Sequence, residues 1–114
     1  MCTASALNEI TSKVVQAARE SLGDKLHKVI LYGSYARGDQ DDESDIDIMV
    51  LADIPREDTW PARMKISELT GDLDLEYDIV LSMGVTDCKT FNKFAKDLPF
   101  YMNVISDGVI LYAA

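Results

Sequence analysis

The chain has 114 residues, 47% of them hydrophobic and 27% charged, with a net charge of −9. That length predicts one small domain, residues 1–114, with an ordinary globular core. The acidity speaks against direct nucleic-acid binding, which needs a basic face, and favours a basic protein partner.

The first twenty residues mix polar and apolar groups and lack the apolar core of a secretory signal. No run approaches the ~20 apolar residues of a membrane span. A cytoplasmic location is expected, with Cys2 and Cys88 as reduced thiols rather than a disulfide. Leu7, Ile10, Val14, Ala17, Ala18 and Leu22 recur at three- and four-residue spacing and predict a helix over 4–22. Thr3 or Ser5 can cap its start, and Gly23 suits its end. His27 reads as a surface histidine ahead of a strand, in preference to a general base or metal ligand. Lys28 to Tyr32 is a short apolar run that predicts a strand buried on both faces.

After the turn 33–44, a second strand spans 45–51. Ile46, Ile48 and Val50 share one of its faces, and Asp45, Asp47 and Met49 the other. Ile54 to Glu57 breaks the pattern. A helix is expected from Thr59 or Trp60 to about Thr70, with Trp60, Met64, Ile66 and Leu69 toward the sheet. Trp60 reads as packed rather than as an adenine platform. Leu73 to Leu81 alternates as a strand, with Leu75, Tyr77, Ile79 and Leu81 on one face and Asp74, Glu76 and Asp78 on the other. Helices are expected over 86–97 and 100–105, and a last strand over 109–112. Together these elements predict a small α/β domain, its first two strands antiparallel neighbours because only a turn joins them.

The chemistry concentrates at Gly33 to Val50. Gly33 permits a sharp turn, and Ser34 offers a hydroxyl and an N–H to an anion. On a strand, Asp45 and Asp47 project from one face with Cα atoms about 6–7 Å apart. Carboxylates that close can share a divalent cation, and a phosphate-bearing substrate completes the octahedron of Mg²⁺. As a plain acidic loop, Asp39 to Glu43 makes sense. Asp45 and Asp47 do not, because they alternate with core residues and repel one another unless a cation compensates.

Gly33-Ser34, ten further residues, then Asp45-Ile46-Asp47 resembles the signature of the nucleotidyltransferase superfamily that includes DNA polymerase beta. It is most similar to the minimal nucleotidyltransferase branch. Ala36-Arg37-Gly38 and Ser44 fit that branch, and Asp107 to Tyr112 is similar to the close of its chains. The likeness is specific at 33–50, moderate at 75–81 and loose elsewhere.

The resemblance implies a nucleotidyltransferase fold: a mixed sheet of about four strands with helices packed on one side. It implies a third carboxylate on the strand after Asp-x-Asp, for which Asp78 is the match and Glu76 the alternative. Asp45, Asp47 and Asp78 would then hold two Mg²⁺ ions, with Asp78 also helping to deprotonate the incoming hydroxyl. Gly33 and Ser34 would seat the phosphates of ATP. Arg37 would pair with phosphate or, preferably, brace the acidic turn. The implied role is that of the antitoxin in HEPN/MNT toxin–antitoxin modules, transferring AMP from ATP to a tyrosine of the HEPN partner. Two alternatives stand beside it: a non-catalytic antitoxin, or the nucleotidyltransferase subunit of a small-molecule enzyme acting on an aminoglycoside-like substrate.

Overall fold

A computed structural model describes residues 3–114; Cys2 and its thiol lie outside them. Helix α1 spans Ala4–Leu22. Thr3 caps it, its Oγ1 accepting a hydrogen bond from the Ala6 N–H at 3.1 Å. Ile10, Val14, Ala17 and Ala18 form its buried stripe, the face that the three- and four-residue spacing marks. At the far end Gly23 has φ +56°.

Strand β1 (Leu26–Tyr32) begins two residues earlier than expected and takes in the exposed His27. A short helix, α2 (Ser34–Arg37), occupies the turn, and β2 runs Ile46–Ala52. The two strands are antiparallel, with Tyr32 opposite Asp47 and Val29 opposite Val50. Next come α3 (Thr59–Thr70), α4 (Leu73–Tyr77), β3 (Leu81–Asp87), α5 (Cys88–Phe94), α6 (Pro99–Asp107) and β4 (Val109–Ala113). The sheet order is β3-β2-β1-β4; β3 runs parallel to β2, and β4 antiparallel to β1. This is the mixed four-stranded sheet that the sequence predicts.

Helices cover both of its faces, not one. Ile10 and Val14 of α1 and Ile66 of α3 pack with Val29, Leu31, Ile46, Ile48 and Val50 on the first face. Phe91 of α5 and Val104 of α6 pack with Ile30, Met49 and Leu51 on the second. The continuous apolar runs of β1 and β2 require this, because both of their faces must leave water. Full burial of each such side chain contributes about 1.5–3 kcal/mol.

The expected strand over 73–81 is replaced by α4, a turn and the start of β3. Leu73 and Tyr77 lie four apart on one helical face. Leu73 is buried, and the Tyr77 hydroxyl bonds the Glu9 carboxylate on α1. That bond pushes the Tyr77 phenol up to about 12. Leu75, a core residue of the expected strand, is 86% exposed. Asp78 ends α4 in the left-handed region, φ 51°, and the Ile79 N–H bonds the Asp74 carbonyl at 3.1 Å. Local helical bonding and Leu73 burial thus override an apolar–polar alternation.

The strand that follows lies at 81–87, where Met83 and Asp87 are buried. Asp87 then caps α5, accepting from the Thr90 N–H at 2.9 Å. Helix α5 accordingly starts two residues later than its expected Thr86. In α3 only Ile66 of the four apolar candidates is buried; Trp60, Met64 and Leu69 are exposed. Trp60 is not packed in the core. The Arg63 guanidinium lies over its ring, 5.1 Å from the centroid.

Candidate active site

The β1–β2 pairing sets Asp47 beside the sharp turn at Gly33. Gly33 has φ 76° and ψ −157°, a conformation essentially closed to other residues. A Cβ at this position would overlap Asp47 Oδ2 and stand 3.2 Å from Asp47 Cγ. Two independent facts therefore require glycine: the backbone angle and the carboxylate against it. The carbonyl of Gly33 accepts from the Ala36 and Arg37 N–H groups, each at 3.1 Å, and closes the first turn of α2. Ser34 opens that turn, half-buried.

Asp45 is exposed and Asp47 half-buried. Burial pushes the Asp47 carboxyl above the ordinary carboxylate range; the charge of Asp45 adds to the rise, and Arg37 offsets part of it. Across the strand pair, burial raises the Tyr32 phenol, and the Asp47 charge raises it further. In both groups burial is the larger cause, and a neighbouring carboxylate charge on the same face adds to it. Among the described residues no three His, Cys, Asp or Glu side chains are grouped to hold a metal ion. The Asp45–Asp47 pair itself fits a hard divalent cation such as Mg²⁺, because its donors are all oxygen and its like charges need a counter-charge.

Asp78 is not brought to this pair. It sits on the turn before β3, and the residue in register with Asp47 on β3 is Ser82. Neighbours in register on adjacent strands project to the same face. Ser82 thus shares the face of Asp47 on the neighbouring strand. Glu76 lies in α4 and makes an exposed ion pair with Lys13 at 3.7 Å.

Arg37 braces. Its Nε donates to Asp39 Oδ2 at 3.1 Å and its Nη1 to Asp107 Oδ2 at 3.4 Å. The hydrogen bond and charge of Asp39, with those of Asp107, raise the guanidinium pKa further. The sequence reading missed Asp107, which stands 70 positions away at the end of α6. Asp41 is likewise more than a solvated charge. Its Oδ1 accepts from the Glu43 N–H at 2.9 Å and the Ser44 hydroxyl at 3.2 Å, which folds the acidic turn onto itself.

A concavity of about 730 Å³ between α1 and β4 is walled by Val15, Arg19 and Tyr112. It opens on the α1 side of the sheet, away from the carboxylate pair. Trp60 starts α3 beyond the C-terminal end of β2, opposite the Asp45–Asp47 end, and so is no platform for a base at this site.

The chain is 35% identical over 98 residues to the Methanocaldococcus jannaschii protein named "Putative protein adenylyltransferase MJ0604", covering 86% of this chain and 90% of the relative. A crystal structure of a toxin–antitoxin with AMP-PNP superposes with a TM-score of 0.54 at 25% identity, over 91% of this chain and 73% of that one. A mutant of the toxin–antitoxin pair MntA–HpeT superposes at 0.52, also 25% identical, over 90% and 72%. The family model described as "Nucleotidyltransferase domain" matches residues 12–111. On the span of that match and the likeness to the archaeal relative, the chain belongs to the nucleotidyltransferase domain family.

Proposed function

We propose that the chain transfers AMP from ATP to a protein hydroxyl, and that the acceptor is a tyrosine of a toxin of the HEPN class for which it is the antitoxin. The observation that carries the reading is the half-buried Asp47 carboxylate set against Gly33, with the like charge of Asp45 acting on it. The adenylyltransferase name of the archaeal relative and the toxin–antitoxin assemblies among the similar structures support the acceptor class. A net charge of −9 suits a basic protein partner better than a nucleic acid.

In this reading the acceptor oxygen attacks the α-phosphorus of ATP, the bond to the bridging oxygen breaks, and pyrophosphate leaves. Asp45 and Asp47 would hold Mg²⁺, which would supply positive charge to the triphosphate and lower the pKa of the attacking hydroxyl. Gly33 leaves room for the Asp47 carboxylate, and the Ser34 hydroxyl donates to a phosphate oxygen. Arg37 stays in its bridge and keeps the turn in shape. Asp78 would join as third ligand and base only if it left its left-handed position at the end of α4, since Val80 already bonds β2.

The test is incubation with labelled ATP, Mg²⁺ and the product of the adjacent gene. Label on that protein, lost in Asp47→Ala, supports the proposal. Complex formation without label, surviving Asp45→Ala/Asp47→Ala, would replace it with a non-catalytic antitoxin. Label on an added aminoglycoside would replace it with a small-molecule transferase.

A further inference from the structure

Strand β4 has the sequence of an interior strand and the position of an edge strand. Val109-Ile110-Leu111-Tyr112-Ala113 is apolar throughout. A run without polar alternation belongs where both strand faces are covered, as in β1 and β2. Yet β4 closes the sheet order β3-β2-β1-β4 and pairs only with β1. Val109 lies opposite Leu31, whose side chain joins the core on the first face, and Ile110 lies opposite Ile30, which joins the core on the second. They are 45% and 56% exposed. The strand therefore shows water an apolar side chain on each face of the sheet.

Open edges are usually blunted by a charge, a proline, a bulge or a covering group. The opposite edge, β3, is blunted. Ser82, Gly84 and Thr86 interrupt it, and Arg63 reaches from α3 so that its Nε donates to the Met83 carbonyl at 3.0 Å. Strand β4 has neither charge nor proline. Its one device is a bulge: Leu111 is the extra residue between Ile110, opposite Ile30, and Tyr112, opposite Val29. Beyond the bulge the ladder resumes, and the Ala114 N–H donates to the His27 carbonyl at 3.0 Å. By alternation the N–H and C=O of Ala113 point away from β1. Among the described residues no backbone group bonds them there.

We infer that β4 is the pairing edge for a second copy of this chain. The two β4 strands run antiparallel about a two-fold axis and join two four-stranded sheets into one of eight strands. The unmade bonds are main-chain groups, which an added strand satisfies along its length. Charge selects the copy. The chain carries −9 and repels itself over most of its surface. Strand β4 carries no charge, and the concavity along the same edge has only Arg19 and Glu20, one of each sign. A basic partner strand finds no acid on β4 to hold it. A copy of β4 sets apolar side chains against apolar ones, and no register brings like charges together. The axis stands perpendicular to the sheet, so the α1 helices of both copies lie on one side of it. Strand β2, which carries Asp47, is two strands in from this edge, about 10 Å away. The pairing leaves both candidate active sites open and does not depend on the transfer reaction.

Sedimentation equilibrium of the full chain over a concentration series is the first measurement. It should show a monomer–dimer equilibrium, with the mass rising to twice that of one chain. Amide hydrogen exchange read by NMR on the same series locates the contact without any substitution. The outward Ala113 amide should slow on the order of tenfold as the dimer fills. Ile110→Lys sets a charge on the edge at an exposed position. It should weaken dimerisation on the order of tenfold or more, since the axis brings the two lysines close. An unchanged melting temperature certifies the fold of that variant. A chain that stays monomeric throughout overturns the inference. A dimer whose Ala113 amide exchanges as fast as in the monomer, or one that Ile110→Lys leaves intact, seats the second copy elsewhere and overturns it too.

Discussion

Gly33 lies against the carboxylate of Asp47, so close that a methyl group on the glycine would occupy the position of Oδ2. The pairing of β1 with β2 fixes this contact, since Tyr32, the residue before Gly33, is opposite Asp47. Gly33→Ala must therefore shift the turn or the acid. Its backbone conformation alone should make the variant less stable by about 1–3 kcal/mol. Transfer activity should fall on the order of 10²-fold or more, as displaced charge-stabilising groups do. Thermal melting and a labelled-ATP assay on the same preparation check both.

Asp47 should trade stability against activity. Its raised pKa means the folded chain holds the proton more tightly than the unfolded chain does. This contribution to stability is present below the ordinary carboxylate pKa and is lost as pH rises through the raised folded value. At neutral pH the charged form therefore destabilises the fold. Asp47→Asn should raise the melting temperature at pH 7, by on the order of 2 °C given partial exposure. The gain should shrink toward pH 4 as the wild-type acid protonates. Activity should fall on the order of 10³-fold. A melting temperature lower than wild type at pH 7 would show that the acid is not strained as described.

Mg²⁺ should stabilise the wild type more than Asp45→Asn/Asp47→Asn. An ion that binds only the folded chain raises its stability by mass action. Scanning calorimetry across a magnesium series, with chelator as baseline, reads the difference. Equal slopes for both proteins would place the cation elsewhere.

The positions of Asp78 and Ser82 separate two readings of the third carboxylate. Because Asp78 stands on the turn before β3, Asp78→Asn should slow transfer by about 10–100-fold, the size expected of a group acting from outside the site. Because Ser82 is in register with Asp47, Ser82→Asp should tighten Mg²⁺ binding and lower metal-free stability. A loss in Asp78→Asn equal to that in Asp47→Asn would mean that Asp78 turns out of its left-handed conformation toward the pair during turnover.

The Arg37 bridge predicts non-additivity. Arg37→Gln and Asp107→Asn each break the link between the catalytic turn and α6. Once one is gone the other has little left to lose, so the double variant should resemble the more damaged single in rate. Additive losses would instead give Arg37 a contact of its own with the nucleotide.

The carboxylate pair was legible in the sequence for a physical reason. Asp45 and Asp47 alternate with Ile46, Ile48 and Val50, and a strand whose apolar members fill one face must put the acids on the other. The same logic failed at 73–81, where Leu73, Leu75, Tyr77, Ile79 and Leu81 also alternate. Five residues of helix and a left-handed Asp78 satisfy that stretch locally, and only Leu73 among its α4 leucines is buried. Ser82 stayed hidden because Ser82 and Gly84 interrupt the apolar run of β3. Asp107 could not be found by spacing at all, since its partnership with Arg37 is made by the packing of α6. The second covered face of the sheet was implicit in the unbroken apolar run of β1, which leaves no strand face for water.

Trp60 is the only tryptophan in the chain and is 63% exposed on the first turn of α3. Its emission in the native protein should already resemble that of indole in water, so denaturation will scarcely move the emission maximum. A fluorescence trace that stays flat through a urea ramp would then report the dye-like position of one ring, not resistance of the fold. Far-ultraviolet dichroism, which follows the helices themselves, is the spectroscopic handle this molecule calls for.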